Sequence, residues 1–309
     1  MDRVSTSGNY ALVLANLMAA QQRQLDAGQQ VSSEKQASDL KGYARNAETL
    51  TAMRTLQAKV DGFIDQTGLL SSKLAMQDTA LNQVGDSAQA ARDAIANALA
   101  TGRADTLIQE LQNAFSNTIQ GLNTKFQGEY LFGGGQVNTK PTTATALSDL
   151  TSAPSIASLF QNDQFKGSNR LDESTTIQTG FLADQIATPL YNAFQGVEAF
   201  EQGANGPFNG TLTTAQRTYL QGVLATFDTV HDNLIKVAGQ NGLYQKEAES
   251  AQKDLTSRQT TLANMVDGIT GVNMAEAVSR LQQAQISVQG AAQVFAALKG
   301  SSLLEILTP

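Results

Sequence analysis

The strongest candidate for chemistry in this sequence is a run of three glycines, Gly133 to Gly135, within the stretch FQGEYLFGGGQVNTKP. Glycine-rich turns bind phosphate through backbone N–H groups when they join a strand to a helix. Here no Lys-Ser or Lys-Thr pair follows the glycines, and a helical pattern precedes them. We therefore predict a sharp turn out of a helical segment, held in place by Tyr130, Leu131 and Phe132.

The other reactive residue types do not form a recognisable catalytic or metal site. The 309 residues include no cysteine, which excludes disulfides, thiolate zinc sites and cysteine nucleophiles. The single histidine, His231, lies beside an apolar helical stripe. Motifs of zinc peptidases, serine hydrolases, P-loop proteins and EF-hands are missing from the sequence. The sequence thus predicts a protein that is not an enzyme, with no catalytic residue, cofactor or metal.

Charge and hydropathy exclude further classes of partner. The net charge of −7 argues against binding to nucleic acid or to an anionic membrane. The apolar run from Tyr10 to Ala20 is too short to span a bilayer. Asp2 beside Arg3 leaves no net positive charge beyond that of the amino terminus before that run, so we expect no cleaved signal peptide.

Helical periodicity dominates both ends of the chain. From Val60 to Ala98 the heptad a and d positions are almost all apolar, and a further helical stripe runs from Ile108 to Phe126. In the C-terminal half three apolar stripes follow one another, the first two separated by the sequence GQNG at 239–242. The pattern predicts a mainly α fold, a long antiparallel coiled-coil-like rod formed by the N- and C-terminal arms.

The middle of the chain, residues 138–214, is rich in Thr, Ser, Asn and Gly. Its segment from Ser174 to Phe181 is typical of a strand between turns, and the segment from Pro189 to Gly203 predicts one short helix. We expect a small β-containing insert between the two arms.

Apolar stripes near the two termini predict an assembly surface. A single rod cannot easily cover both stripes, so copies of the same or similar chains are the simplest partners. The alternative is that the two stripes cover each other within one chain. The predicted interface residues are Leu14, Leu17, Leu25, Val288, Phe295, Leu303, Leu304, Ile306 and Leu307.

The two ends of the chain resemble the flagellin superfamily of bacterial flagellar axial proteins. The opening block is carried by RVSTS and by the segment from Val31 to Leu50, and the closing block by the segment from Val272 to Leu307. The segment from Val237 to Ser250, which contains GQNG, is similar to the family's turn between its last two long helices.

Within that superfamily, the glycine stretch resembles the branch of hook-associated protein 3, which forms the hook–filament junction. The shared pattern is Gly-x-Tyr-Leu-Phe-x-Gly, here Gly128, Tyr130 to Phe132 and Gly134. Departures occur at Glu34, where the opening block has another residue before its lysine, and at Thr142, where the branch often has Phe. A divergent flagellin therefore stays open as the alternative.

The resemblance implies a structural subunit of the flagellum that is exported without a cleaved signal peptide and acts outside the cell. Its implied partners are copies of itself in a ring, a second hook-associated protein on the hook side, flagellin on the filament side and a flagellar export chaperone, with no nucleic acid or membrane. The implied segments are a polymerisation helix over 1–40 that pairs with 275–309, rod segments over 41–137 and 215–274, and an outward-facing insert over 138–214. A more distant alternative is a secreted polysaccharide-binding protein that uses Tyr191 and Phe194.

Overall fold

A computed structural model of the protein describes the backbone of residues 2–307 and the side chains of residues 8–298. This described part of the chain is mainly α, as the sequence predicts, with two small two-stranded antiparallel sheets. In chain order the elements are α1 (Asp2–Ser33), a 3-10 turn (Leu40–Tyr43), α2 (Ala47–Thr101), α3 (Leu107–Leu122), β1 (Lys125–Phe126), β2 (Glu129–Tyr130), α4 (Leu147–Ser152), a 3-10 turn (Ile156–Leu159), β3 (Ser168–Arg170), β4 (Thr176–Gln178), α5 (Ala183–Glu201), α6 (Thr214–Thr270) and α7 (Met274–Leu307).

The chain divides into two compact units. The terminal unit comprises residues 1–60 and 257–309, and the central unit comprises residues 61–256. In the terminal unit α1 and α7 pack closely along each other, and we call them the terminal pair.

A backbone clasp joins the two loops of the terminal unit that lead into and out of the terminal pair. The N–H of Gln36 donates to the carbonyl of Thr270 at 2.8 Å, and the N–H of Val272 donates to the carbonyl of Glu34 at 3.0 Å. The Gln36 side chain adds a bond to the Gly271 carbonyl at 2.8 Å. Backbone groups that helix ends leave unpaired are thereby satisfied.

The central unit is built on a core of aromatic and large aliphatic side chains. The ring of Phe194 lies 5.3 Å from that of Phe115 and 5.2 Å from that of Phe227, which brings α3, α5 and α6 together. Residues of the predicted insert, such as Leu150 and Tyr191, are fully buried in the same core. The segment 138–214 therefore shares its core with the long helices.

Three local predictions about the helices are wrong in detail. The sequence GQNG does not end a helix, because α6 runs without a break from Thr214 to Thr270. A glycine inside a helix costs only about 1 kcal/mol relative to alanine, and Asn241 is held there by a buried hydrogen bond to α2. The break between the last two helices falls instead at residues 271–273. Helix α5 begins at Ala183, six residues before the predicted start at Pro189, and Phe126 lies in β1 beyond the end of α3.

Candidate functional site

The fully buried part of the contact between the two helices of the terminal pair is made of alanines. Among the described side chains of α1 and α7, the buried ones are Ala20, Ala27, Ala277 and Ala284, each at most 8% exposed. On each helix the two alanines are seven residues apart, the spacing that keeps them on one face. Because alanine has no side chain beyond Cβ, the two backbones can approach closely, as they do here.

Several large apolar side chains of the terminal pair lie on its outside. Leu25 is 63% exposed, Met18 is 60% exposed and Ile286 is 69% exposed. At about 100° per residue, Met18 and Leu25 lie roughly half a turn from the buried alanines of α1, and Ile286 lies roughly half a turn from those of α7. The pair therefore presents apolar side chains to solvent on two opposite sides, which we call its outer faces. Leu12, Val278 and Val294 are further exposed apolar residues of these helices.

The predicted interface residues divide between the inside and the outside of the terminal pair. Leu14, Leu17, Val288 and Phe295 are half-buried, and the Phe295 ring lies 5.1 Å from that of Tyr10 on α1. Leu25 lies on an outer face. The remaining predicted residues belong to α7, but their side chains lie outside the described residues: Leu303, Leu304, Ile306 and Leu307.

The predicted interface does not include Met18 and Ile286, although both are at least 60% exposed on the outer faces. The signal was present in the alanines, because a seven-residue alanine repeat identifies the inner face and so places the apolar residues half a turn away from it on the outside. A search for stripes of large apolar residues does not count alanine and therefore does not identify which face of the helix is the inner one.

The glycine turn in the central unit is closed by a carboxylate. Gly135 N–H donates to Oδ1 of Asp163 at 2.8 Å, and the same oxygen accepts from Phe165 N–H at 2.9 Å. These backbone hydrogen bonds, that of Gly135 foremost, hold the pKa of Asp163 below its ordinary value. The position that an external phosphate would take is thus filled by the protein's own carboxylate. Asp163 is 28 residues away from Gly135, so no local pattern identifies it.

Two of the three glycines, Gly134 and Gly135, are required by this close approach, whereas a Cβ added at Gly133 would lie 2.7 Å from the carbonyl oxygen of Gln136. Gly134 has a φ of +68°, and a Cβ added there would lie 2.3 Å from Asp163 Oδ1. Phe132 is completely buried and Leu131 is 6% exposed, whereas Tyr130 is only half-buried, with Lys125 Nζ 4.4 Å from its ring centroid. Two of the three residues predicted to hold the turn therefore pack into the core.

The two aromatic residues proposed for saccharide binding are not accessible. Tyr191 and Phe194 each have no measurable solvent exposure. The Tyr191 hydroxyl lies 2.9 Å from Thr142 Oγ1, and burial raises the pKa of that hydroxyl. The polysaccharide-binding alternative, as placed on these residues, is wrong because both rings form the core.

The described residues contain no cluster of three or more His, Asp or Glu side chains arranged to hold a metal ion. Within the same residues, no helix combines the length and apolar character needed to cross a lipid bilayer.

Both ends of the chain match models of a known family. The N-terminal helical region of bacterial flagellin matches residues 4–137, and its C-terminal helical region matches residues 224–307. No curated protein sequence matches the chain significantly.

Solved structures with a similar fold include a candidate flagellar hook-associated protein from Vibrio parahaemolyticus. It has a TM-score of 0.60 and 12% sequence identity, and the match covers 72% of this chain and 97% of that one. FlgL from Bacillus cereus has a TM-score of 0.53 and 16% identity, with 71% of this chain and 99% of that one covered. These likenesses show a fold shared with nearly the whole length of the two solved proteins and with 71–72% of this chain.

Proposed function

The chain belongs to the flagellin family of bacterial flagellar structural proteins, and from this premise we propose that it forms the junction between the hook and the filament. In this proposal copies of the chain assemble in a ring through the terminal pair. A second hook-associated protein binds on the hook side and flagellin binds on the filament side. The segments 1–40 and 275–309 are the assembly helices, and the chain reaches its place outside the cell by flagellar export, with a chaperone and without a cleaved signal peptide.

The observation that carries the proposal is the inverted packing of the terminal pair. Alanines lie inside, while Met18, Leu25 and Ile286 lie in solvent on two sides. Burying one such side chain against a neighbour contributes about 1.5–3 kcal/mol, so several of them in each subunit favour assembly strongly. Two separate outer faces allow each copy to contact a neighbour on both sides, as a ring or tube requires.

The glycine turn favours the junction over the filament. The block from Gly128 to Gly134 resembles the junction branch, and solved structures with a similar fold include a candidate flagellar hook-associated protein and FlgL. The runner-up is a flagellin, because the terminal regions are shared by the whole family.

Charge placed on an outer face tests the assembly surface. We expect Ile286→Asp to leave the thermal unfolding of the purified monomer unchanged and to abolish incorporation into flagella, because an aspartate on this face would have to be desolvated in the assembly. Gln283→Asp, which adds the same charge at an exposed polar position of α7, is the matched control. Equal incorporation of the two variants would contradict the proposal.

Immunogold labelling of isolated flagella distinguishes the junction from the filament. The junction proposal predicts a single band between hook and filament, whereas a flagellin would be labelled along the whole filament. Polymerisation of the purified chain alone into long filaments would also establish the flagellin alternative.

A further inference from the structure

Within the central unit, α2 and α6 run antiparallel in one register. Arg92 bonds Asp228 at 2.8 Å, Asn241 bonds the carbonyl of Leu74, and a Cβ on Gly68 would lie 3.8 Å from Gln252 Nε2. From one contact to the next, the residue number falls along α2 while it rises along α6, as it must for two antiparallel helices in a constant register. The helices therefore keep one alignment from one end of this seam to the other.

A buried polar layer lies within this seam. Asn241 is completely buried and Gln77 is 1% exposed. The Asn241 side-chain amide donates to the Leu74 carbonyl at 2.9 Å, and Gln245 donates to the same carbonyl at 3.1 Å. The buried oxygens Asn241 Oδ1 and Gln77 Oε1 accept no hydrogen bond from any described residue.

The polar layer lies between two apolar clusters of the unit. The main core begins at Ala80 on α2 and at Leu234 on α6, and a smaller cluster contains Leu74 and Ala248 on the other side. Leaving a buried acceptor unpaired costs about 1–3 kcal/mol, so apolar residues would stabilise this position more. The layer is thus better explained by specificity than by stability.

We propose that Asn241, with Gln77 and Gln245, fixes the register of α2 against α6. The a and d positions of α2 carry apolar residues every seven positions, such as Leu74 and Leu81. If α2 slipped by one heptad against α6, most apolar residues of α6 would therefore still face an apolar residue of α2. The exceptions are the partly exposed Arg92–Asp228 pair and the layer, where a slip of one heptad brings Gly85 to the place of Asp78, whose Oδ1 lies 3.5 Å from Asn241 Nδ2, and Val84 to the place of the buried Gln77. A single buried asparagine sets the alignment of coiled coils in the same way.

Cross-linking tests the register directly, because the chain has no cysteine of its own. Gly68→Cys with Gln252→Cys reports the observed register, and Ala75→Cys with Gln252→Cys reports a slip of one heptad. Each pair is introduced into the full chain, treated with a short bismaleimide and quantified by gel mobility and mass spectrometry. The backgrounds are the natural sequence, Asn241→Leu with Gln77→Leu, and Asn233→Leu, which changes an exposed asparagine of the same helix.

We expect the natural sequence and Asn233→Leu to cross-link only the first pair. The double leucine variant is expected to unfold at an equal or higher temperature and to raise the yield of the slipped pair about tenfold. A double variant that folds and cross-links only the first pair would overturn the proposal. If leucine proves too large, Asn241→Ala with Gln77→Ala gives the same readout, and failure of both variants to fold would also overturn it, since stability would then be the role of the layer.

Discussion

The terminal pair and the central unit distribute their apolar side chains in opposite ways. The central unit places Phe115, Tyr191, Phe194 and Phe227 at essentially zero exposure. Among the described side chains, the terminal pair fully buries only alanines and leaves Met18, Leu25 and Ile286 in solvent. The central unit therefore has a core of its own, whereas the stability of the terminal pair depends on what covers its outer faces.

The largest expected effect separates these two kinds of apolar residue. Phe194→Ala removes a buried ring that contacts two others and should lower the free energy of unfolding by about 3–5 kcal/mol. Leu25→Ala, at a site 63% exposed, should change it by at most about 0.5 kcal/mol. Urea unfolding of the purified monomer, followed by circular dichroism, measures both. Similar losses for the two variants would remove the contrast.

Replacing one glycine in each region should change the stability of the protein by an intermediate amount. Gly134→Ala in the central unit forces a side chain into a left-handed conformation against Asp163 and should cost about 1–3 kcal/mol. Gly28→Ala on α1 meets open space and should stabilise its helix by about 0.5–1 kcal/mol. Thermal unfolding of the two variants should therefore shift in opposite directions. Stabilisation by Gly134→Ala would contradict the close packing described for the turn.

The smallest expected effect is the dependence of stability on pH through the Asp163 carboxylate. Hydrogen bonding lowers the pKa of Asp163 in the folded protein, so its stabilisation is complete above the ordinary aspartate pKa and is lost as the pH falls through the lowered value. Asp163→Asn should lower the unfolding temperature at pH 7, and the difference from the natural sequence should shrink below about pH 4. Thermal unfolding between pH 7 and pH 2.5 measures it. A difference that stays constant over this range would exclude a contribution from the ionised carboxylate.

The long helices could be predicted from the sequence because their signal is local. The heptad from Val60 to Ala98 lies within α2, and Gly102 marks its end, with a φ of +69°. The glycine run predicted a turn for the same reason, but its partner Asp163 could not be found, since only the folded chain brings the two together. At GQNG the local preference for a break was overruled by the burial of Asn241 against α2.

The predicted assembly residues show a second property that a sequence pattern does not determine. Periodicity places Leu17 and Leu25 in one apolar stripe, but it does not say which part of the stripe the neighbouring helix covers. The structure leaves Leu17 half-buried and Leu25 exposed. That division depends on the path of α7, which the alanines of both helices determine together.

The alanine contact also affects the entropy of forming the terminal pair. Alanine has no side-chain rotamers, so bringing Ala20 and Ala27 against Ala277 and Ala284 freezes backbone torsions alone. The rotamer freedom of Met18, Leu25 and Ile286 is kept while these residues are in solvent, and in the proposed assembly it would be lost only when a neighbour covers them. Much of the ordering cost of this region would thereby be deferred to the moment of assembly, when apolar burial offsets it.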